Sequence, residues 1–149
     1  MARRSKAREI ALQMLFQRDY NPDADARVLK NMIGERIEDE DMFLFCWQLV
    51  SGVLQHQDAL DEQISAAVEN WSLDRMATTD RNAIRIGAYE MLFLDTPAPV
   101  AIDEAIELSR KFGSKESAHF VNGIMDRLRK SRDEPSAKPT QPENVEKTE

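Results

Sequence analysis

Apolar residues recur with the period of an α-helix along nearly the whole chain, and this spacing constrains the fold more than any other feature of the sequence. The first stripe has i, i+3, i+4, i+7 and i+8 spacing and consists of Ala7, Ile10, Ala11, Met14 and Leu15. Residues with this spacing share one face of a helix, so we predict a first helix over residues 5–19. No stretch alternates apolar and polar residues as a half-buried strand does. The sequence therefore predicts an all-α fold.

Six further apolar stripes follow, separated by residues that break or end helices. They cover residues 28–33, 42–53, 60–71, 84–92, 100–112 and 121–128. The stripe at 42–53 is the most apolar, so we expect it to form the central core helix. A division near Trp71 would separate the helices into two groups. We predict a compact bundle of about seven helices in two small helical subdomains.

Two glycines and a serine allow local predictions about the last two helices. Gly113 follows the sixth stripe, where a glycine in the left-handed conformation commonly ends a helix. Ser114 is then placed to cap the seventh helix. Gly123 lies inside that helix, where glycine costs about 1 kcal/mol relative to alanine. We therefore expect a neighbouring helix to approach closely at Gly123.

The size and composition of the chain indicate one cytoplasmic domain with a tail. A chain of 149 residues with 42% hydrophobic residues is enough for one core. No apolar run approaches the ~20 residues that span a bilayer, and the basic start lacks the apolar segment of a signal peptide. The single cysteine permits no internal disulfide. We assign residues 1–132 to the helical domain and predict that 133–149, with three prolines and few apolar residues, form a disordered tail.

The first eight residues carry four positive side chains and no negative one, although the chain as a whole has a net charge of -7. Clustered arginine and lysine can displace counterions from a polyanion such as RNA. A solvated, flexible terminus explains the same cluster equally simply. Charge alone slightly favours the solvated terminus.

The sequence contains no recognisable catalytic, cofactor or metal site, and we expect a protein that is not an enzyme. It has no glycine-rich phosphate loop, and neither His56 nor His119 has a partner at zinc-ligand spacing. Cys46 lies on an apolar helix face, which favours a small core residue over a nucleophile. The carboxylates between residues 103 and 107 lie in the first two turns of a predicted helix, where they suit the helix dipole.

Four segments, in this order and with these gaps, resemble the NusB family of bacterial transcription antitermination factors. They are RSKAREIALQMLF at 4–16, DRNAIRIGAYE at 80–90, PVAIDEAIEL at 99–108 and FGSKESAHFVNGIMD at 112–126. The resemblance covers about residues 3–130. It implies two small helical bundles and an RNA-binding adaptor that is not a catalyst. It further implies binding to boxA-type RNA together with NusE, a ribosomal small-subunit protein, and indirect contact with other Nus factors and RNA polymerase.

The resemblance and the side-chain chemistry together predict eight RNA-binding residues. Arg4 and Arg8 lie one helical turn apart, and the forked donors of arginine suit phosphate. Lys115 lies near a helix start, whose backbone N–H groups attract phosphate, and Glu116 can accept from a base amino group. Phe120 either packs in the core or stacks on a base, with the two readings balanced. The expected residues are Arg3, Arg4, Lys6, Arg8, Arg85, Lys115, Glu116 and Phe120.

A second surface is expected to contact NusE. The resemblance implies that Phe16 and Asp80 lie on it, although many relatives carry tyrosine at the Phe16 position. Asp80 serves equally well as a cap for the fifth helix. The alternative to the whole RNA reading is a helical protein–protein interaction module without RNA binding, and self-association into a homodimer remains open.

Overall fold

A computed structural model describes residues 2–68 and 73–134, which form seven α-helices and contain no strand. The helices are α1 (Ala2–Tyr20), α2 (Ala26–Arg36), α3 (Glu40–Gln55), α4 (Gln57–Ala67), α5 (Thr78–Phe93), α6 (Ala98–Phe112) and α7 (Ser117–Asp133). A short 3-10 turn, Leu73–Arg75, precedes α5. The predicted all-α fold of about seven helices is confirmed.

Two parts of the sequence-based prediction fall outside the described residues. Trp71, placed at the end of the fourth stripe, is one of them. Residues 135–149, which make up most of the predicted tail, are the other. The final helix continues through Asp133, one residue beyond the boundary that we expected at 132.

Acidic residues define where α2 and α3 begin. The Asp25 carboxylate accepts a hydrogen bond from the backbone N–H of Arg27, which holds the pKa of Asp25 below its usual value. Asp39 likewise accepts from the backbone N–H of Met42 at 3.1 Å. Both carboxylates satisfy N–H groups that have no partner within the helix. Each helix therefore starts where its cap and the apolar stripe coincide.

The central helix is α5, and the expectation that the third helix would be central is wrong. α5 packs against α1, α3, α4, α6 and α7. From Asn82 to Met91 every residue of α5 is buried, and three of them are polar or charged: Asn82, Arg85 and Glu90. Ranking helices by apolar content misses a helix whose polar side chains are buried in ion pairs. One continuous apolar core joins all seven helices.

Close approach between helices occurs at Gly52 and Gly87, and the expectation for Gly123 is wrong. A Cβ at Gly52 would overlap the ring of Tyr89, so α3 and α5 can meet only through this glycine. A Cβ at Gly87 would lie 2.8 Å from the Met125 methyl group of α7. A Cβ at Gly123 would meet nothing within 4 Å.

The turn between α6 and α7 also differs from expectation. Gly113 has φ -101° and ψ -161°, which is extended and not left-handed. Glycine is needed there because a Cβ would lie 2.7 Å from the Ser109 carbonyl oxygen. Ser114 does not cap α7; its backbone N–H donates to Ser117 Oγ at 2.9 Å.

Candidate functional site

Arg8, one of the expected RNA-binding residues, is buried in a network of ion pairs. Its Nε and Nη2 atoms donate to the two carboxylate oxygens of Glu90 at 2.7 and 2.8 Å. Its Nη1 lies 3.4 Å from Glu104 Oε1 on α6. Burial alone would lower the pKa of Arg8, but the hydrogen bonds and charges of Glu90 and Glu104 outweigh it and raise that pKa. The guanidinium faces carboxylates on α5 and α6 and is not free to meet a phosphate.

Arg85, another expected RNA-binding residue, is buried in a second ion pair. Its Nε and Nη2 each donate to the Asp61 carboxylate on α4 at 2.8 Å. Its Nη1 donates to Asn82 Oδ1 at 3.1 Å. This geometry is a forked, two-bond contact between arginine and a carboxylate. Arg85 therefore fastens α4 to α5.

The other three cations of the basic start lie at the surface. Arg3 pairs with Asp39, the residue that caps α3. The guanidinium carbon of Arg4 lies 4.4 Å from the ring centroid of Phe45, a cation–π contact. Lys6 extends from the next turn, with Nζ 3.8 Å from Glu9. The Phe45 contact could not be predicted from the sequence, because that ring comes from α3.

A groove of about 1120 Å³ opens beside these cations. Its walls come from the start of α1, from α3 and from the connection between α5 and α6. Leu44 and Val100 are exposed apolar residues along it, and Arg3 and Arg4 lie at its edge. The groove thus combines cationic and apolar surface.

A second group of expected site residues meets at the opposite end of α5. Phe120, Glu116 and Asp80 line a smaller groove of about 210 Å³, together with Arg75 and Ser117. Lys115 is exposed in the turn before α7. Phe120 is half-buried against the core and also lines this groove, so part of its ring is accessible.

Asp80 is not the cap of α5, which corrects one of its two expected roles. The cap position is Ala77, and Asp80 is the third residue of the helix. Its side chain lies in the first turn, where negative charge is favourable. Asp80 is only 7% exposed, and its Oδ1 has no hydrogen-bond partner among the described residues. It can present very little of itself to a partner protein.

Phe16 lies on an exposed aromatic patch near the same end of the molecule. Its ring centroid is 4.8 Å from that of Tyr20, one turn further along α1, and both rings are exposed. The intervening Asp19 accepts hydrogen bonds from Arg81 and Asn82, the residues that follow Asp80. Sequence reasoning missed Tyr20, although its i+4 spacing from Phe16 places both rings on one helix face.

The expected residues therefore fall into two clusters joined by the length of α5. Arg3, Arg4 and Lys6 lie beside its C-terminal half, because neighbouring Arg8 contacts Glu90. The second cluster lies at its N-terminal end and contains Lys115, Glu116, Phe120, Asp80 and Phe16. The ten helical rises from Asp80 to Glu90 correspond to about 15 Å of helix. A ligand that contacts both clusters must span at least this distance.

The sequence model of the NusB family matches residues 5–130 of this chain. The chain belongs to the NusB family. It is 47% identical over 131 residues to the transcription antitermination protein NusB of Anaeromyxobacter dehalogenans strain 2CP-1, covering 85% of this chain and 90% of that protein. It is 44% identical over 128 residues to NusB of Bacillus subtilis strain 168, covering 85% and 95%.

Solved NusB structures share the fold. NusB of T. maritima matches with a TM-score of 0.79 and 35% identity, covering 85% of this chain and 90% of that chain. A crystal structure of antitermination factors NusB and NusE in complex with dsRNA matches with a TM-score of 0.79 and 26% identity, covering 88% and 98%. That structure places a relative with this fold beside both NusE and RNA.

Other features of this NusB-family chain bear on alternative chemistry. Cys46 is buried in the core, and burial raises the pKa of its thiol to about 12. Such a thiol is a poor nucleophile, because the thiolate is the reactive form. Within residues 2–68 and 73–134 no three His, Cys, Asp or Glu side chains are grouped to hold a metal ion. No helix in these ranges is long and apolar enough to cross a membrane.

Proposed function

We propose that this protein is a transcription antitermination factor that binds boxA-type RNA together with NusE. It acts in the cytoplasm as a binding adaptor and not as an enzyme, and it joins RNA polymerase through other Nus factors. The observation that carries the proposal is the family match over residues 5–130, to which relatives named transcription antitermination protein NusB add their support.

The RNA-binding residues in this proposal are the exposed members of the expected set. Arg3, Arg4 and Lys6 contact phosphates at one end of α5. At the other end Lys115 contacts a phosphate, Glu116 accepts from a base amino group and Phe120 stacks on a base. Arg8 and Arg85 contribute indirectly, since they hold α1 and α4 against α5.

An acidic protein can bind RNA in this way because the cations of the two clusters are exposed, so phosphates can reach them in spite of the negative net charge. Phosphate contacts position a strand but carry no sequence information, which must come from bases. Single-stranded RNA exposes base edges and faces to side chains such as those of Glu116 and Phe120. The wide separation of the clusters suits a strand that crosses several turns of helix.

The NusE-binding residues in this proposal are Phe16 and Asp80, with Phe16 carrying most of the contact. Exposed aromatic side chains contribute much of the energy of protein interfaces. Asp80 is nearly buried, so it contributes through its negative charge and as part of the wall of the small groove. The aromatic patch lies near the second RNA cluster, so NusE and RNA can bind side by side on neighbouring surfaces.

The test is an electrophoretic shift assay with the full chain, with and without NusE. The probes are a boxA-type single strand, a single strand of the same composition in scrambled order, and a duplex of the boxA sequence. We expect NusE to strengthen binding to the boxA strand by more than it strengthens binding to the scrambled strand. A chain that binds NusE but adds nothing to RNA retention would instead support the protein–protein module.

A further inference from the structure

A group of three charged residues lies between the two clusters, where α1 and α6 pack side by side. The Lys111 ammonium of α6 lies 3.0 Å from both carboxylate oxygens of Glu9 on α1. The Lys6 ammonium lies 3.8 Å from the same carboxylate. Two lysines thus share one acid, which leaves a net charge of +1 on the group.

The two lysines face solvent, whereas the acid between them does not. The side chains of Lys6 and Lys111 are 67% and 57% exposed, and that of Glu9 is 18% exposed. The acid lies beneath the two ammonium groups and holds them near each other. Ion pairs as exposed as these contribute little to stability. Either ammonium can therefore exchange Glu9 for an arriving anion at small cost.

Lys111 fills the gap between the two clusters. Lys6 follows Arg3 by one turn of α1, and both belong to the first cluster. Lys111 lies in the last turn of α6, four residues before Lys115 of the second cluster. The cations then follow one another in the order Arg3, Lys6, Lys111 and Lys115. Sequence reasoning missed Lys111 because its neighbour Glu9 is 102 positions away.

We propose that Lys111 and Lys6 bind a backbone phosphate of single-stranded RNA midway along its path, and that Glu9 holds both lysines in place until the RNA arrives. This inference rests on the proposed function. The phosphate replaces Glu9 as the partner of Lys111, so the Glu9 carboxylate competes with RNA for this lysine. Such a contact positions the strand and does not read its sequence.

The test compares four single substitutions in the full chain, of which Lys111→Arg keeps the positive charge. Lys111→Gln removes the proposed phosphate contact, and Glu9→Gln removes the competing carboxylate. Lys130→Gln is the matched control, since Lys130 is an exposed lysine on α7 that pairs with a carboxylate, Asp126, at 3.1 Å. Affinity for a boxA-type single strand is measured by fluorescence anisotropy over a salt series. A urea midpoint for each variant verifies that it is folded.

Lys111→Gln should weaken binding several-fold and make the slope of log affinity against log salt shallower, by at most about 0.7, the value for one phosphate on a single strand. Glu9→Gln should tighten binding, and Lys111→Arg should bind like the parent. The inference is wrong if Lys111→Gln matches Lys130→Gln, or if Glu9→Gln weakens binding. If Lys111→Gln loses affinity for NusE and keeps its affinity for RNA, the site binds an acidic protein segment. That result would also contradict the inference. Absence of RNA binding by the parent chain would instead overturn the proposed function.

Discussion

Replacing Arg8 with methionine should destabilise the fold strongly without removing an RNA contact. The substitution leaves the Glu90 carboxylate, which is fully buried, without its guanidinium. Breaking one partner out of a buried ion pair costs about 3–5 kcal/mol. The two charge-assisted hydrogen bonds that are lost give a similar figure, since each contributes about 1.5–3 kcal/mol. This is a large part of the ~5–15 kcal/mol that stabilises a typical domain.

The assay is equilibrium unfolding of the full chain in urea, followed by helical circular dichroism. If the free energy of unfolding falls by about 2 kcal/mol per molar urea, a loss of about 3–5 kcal/mol in that free energy lowers the unfolding midpoint by roughly 2 M. Arg4→Met is the matched control, because Arg4 is exposed and its guanidinium lies over the face of Phe45. Such an exposed cation–π contact contributes about 0.5–1 kcal/mol, so its midpoint should move by less than about 0.5 M.

RNA binding should show the opposite order. Arg4→Met should weaken binding to a boxA-type strand, whereas Arg8→Met, measured where it remains folded, should bind like the parent. Adding Glu90→Gln to Arg8→Met should restore part of the lost stability, since it removes the unpaired charge. An Arg8→Met protein with the parent's urea midpoint and reduced RNA affinity would refute the structural role of Arg8.

Three further predictions follow from the packing and the surface. Gly52→Ala should lower the free energy of unfolding by about 1–3 kcal/mol, because its Cβ would overlap Tyr89. Gly123→Ala should raise the free energy of unfolding by about 1 kcal/mol, because its Cβ meets nothing and alanine favours the helix. Urea midpoints test both. Cys46 should resist alkylation at about pH 8 in the native protein and react once urea unfolds it, as mass spectrometry would show, because its pKa is about 12. Phe16→Ala should weaken NusE binding in a titration about tenfold or more while leaving RNA-only binding unchanged, and equal loss of both would contradict separate surfaces.

The helices could be predicted from the sequence because apolar spacing is a local property. The stripe of α1 from Ala7 to Leu15 is buried along its length, as its spacing required. The start of α3 follows in the same way from acidic residues beside an apolar stripe, and Asp39 is the cap there. Each of these inferences uses residues within one or two helical turns.

The roles of the arginines could not be predicted, because they depend on partners far away in sequence. Arg8 lies 82 positions from Glu90, and Arg85 lies 24 positions from Asp61. Helical spacing cannot show which side chains of other helices will face a cation. A buried arginine and an RNA-binding arginine therefore give the same local pattern. The packing of α1 and α4 against α5 shows that Arg8 and Arg85 are buried arginines.

The central claim is that RNA binds through the exposed cations of this surface, and the salt dependence of the parent chain tests it most directly. Affinity for a boxA-type single strand should be measured between about 50 and 200 mM salt. Four exposed cations, Arg3, Arg4, Lys6 and Lys115, engage about four phosphates and predict a slope of log affinity against log salt of about -3. A slope near zero, or no detectable binding at low salt, would contradict the account.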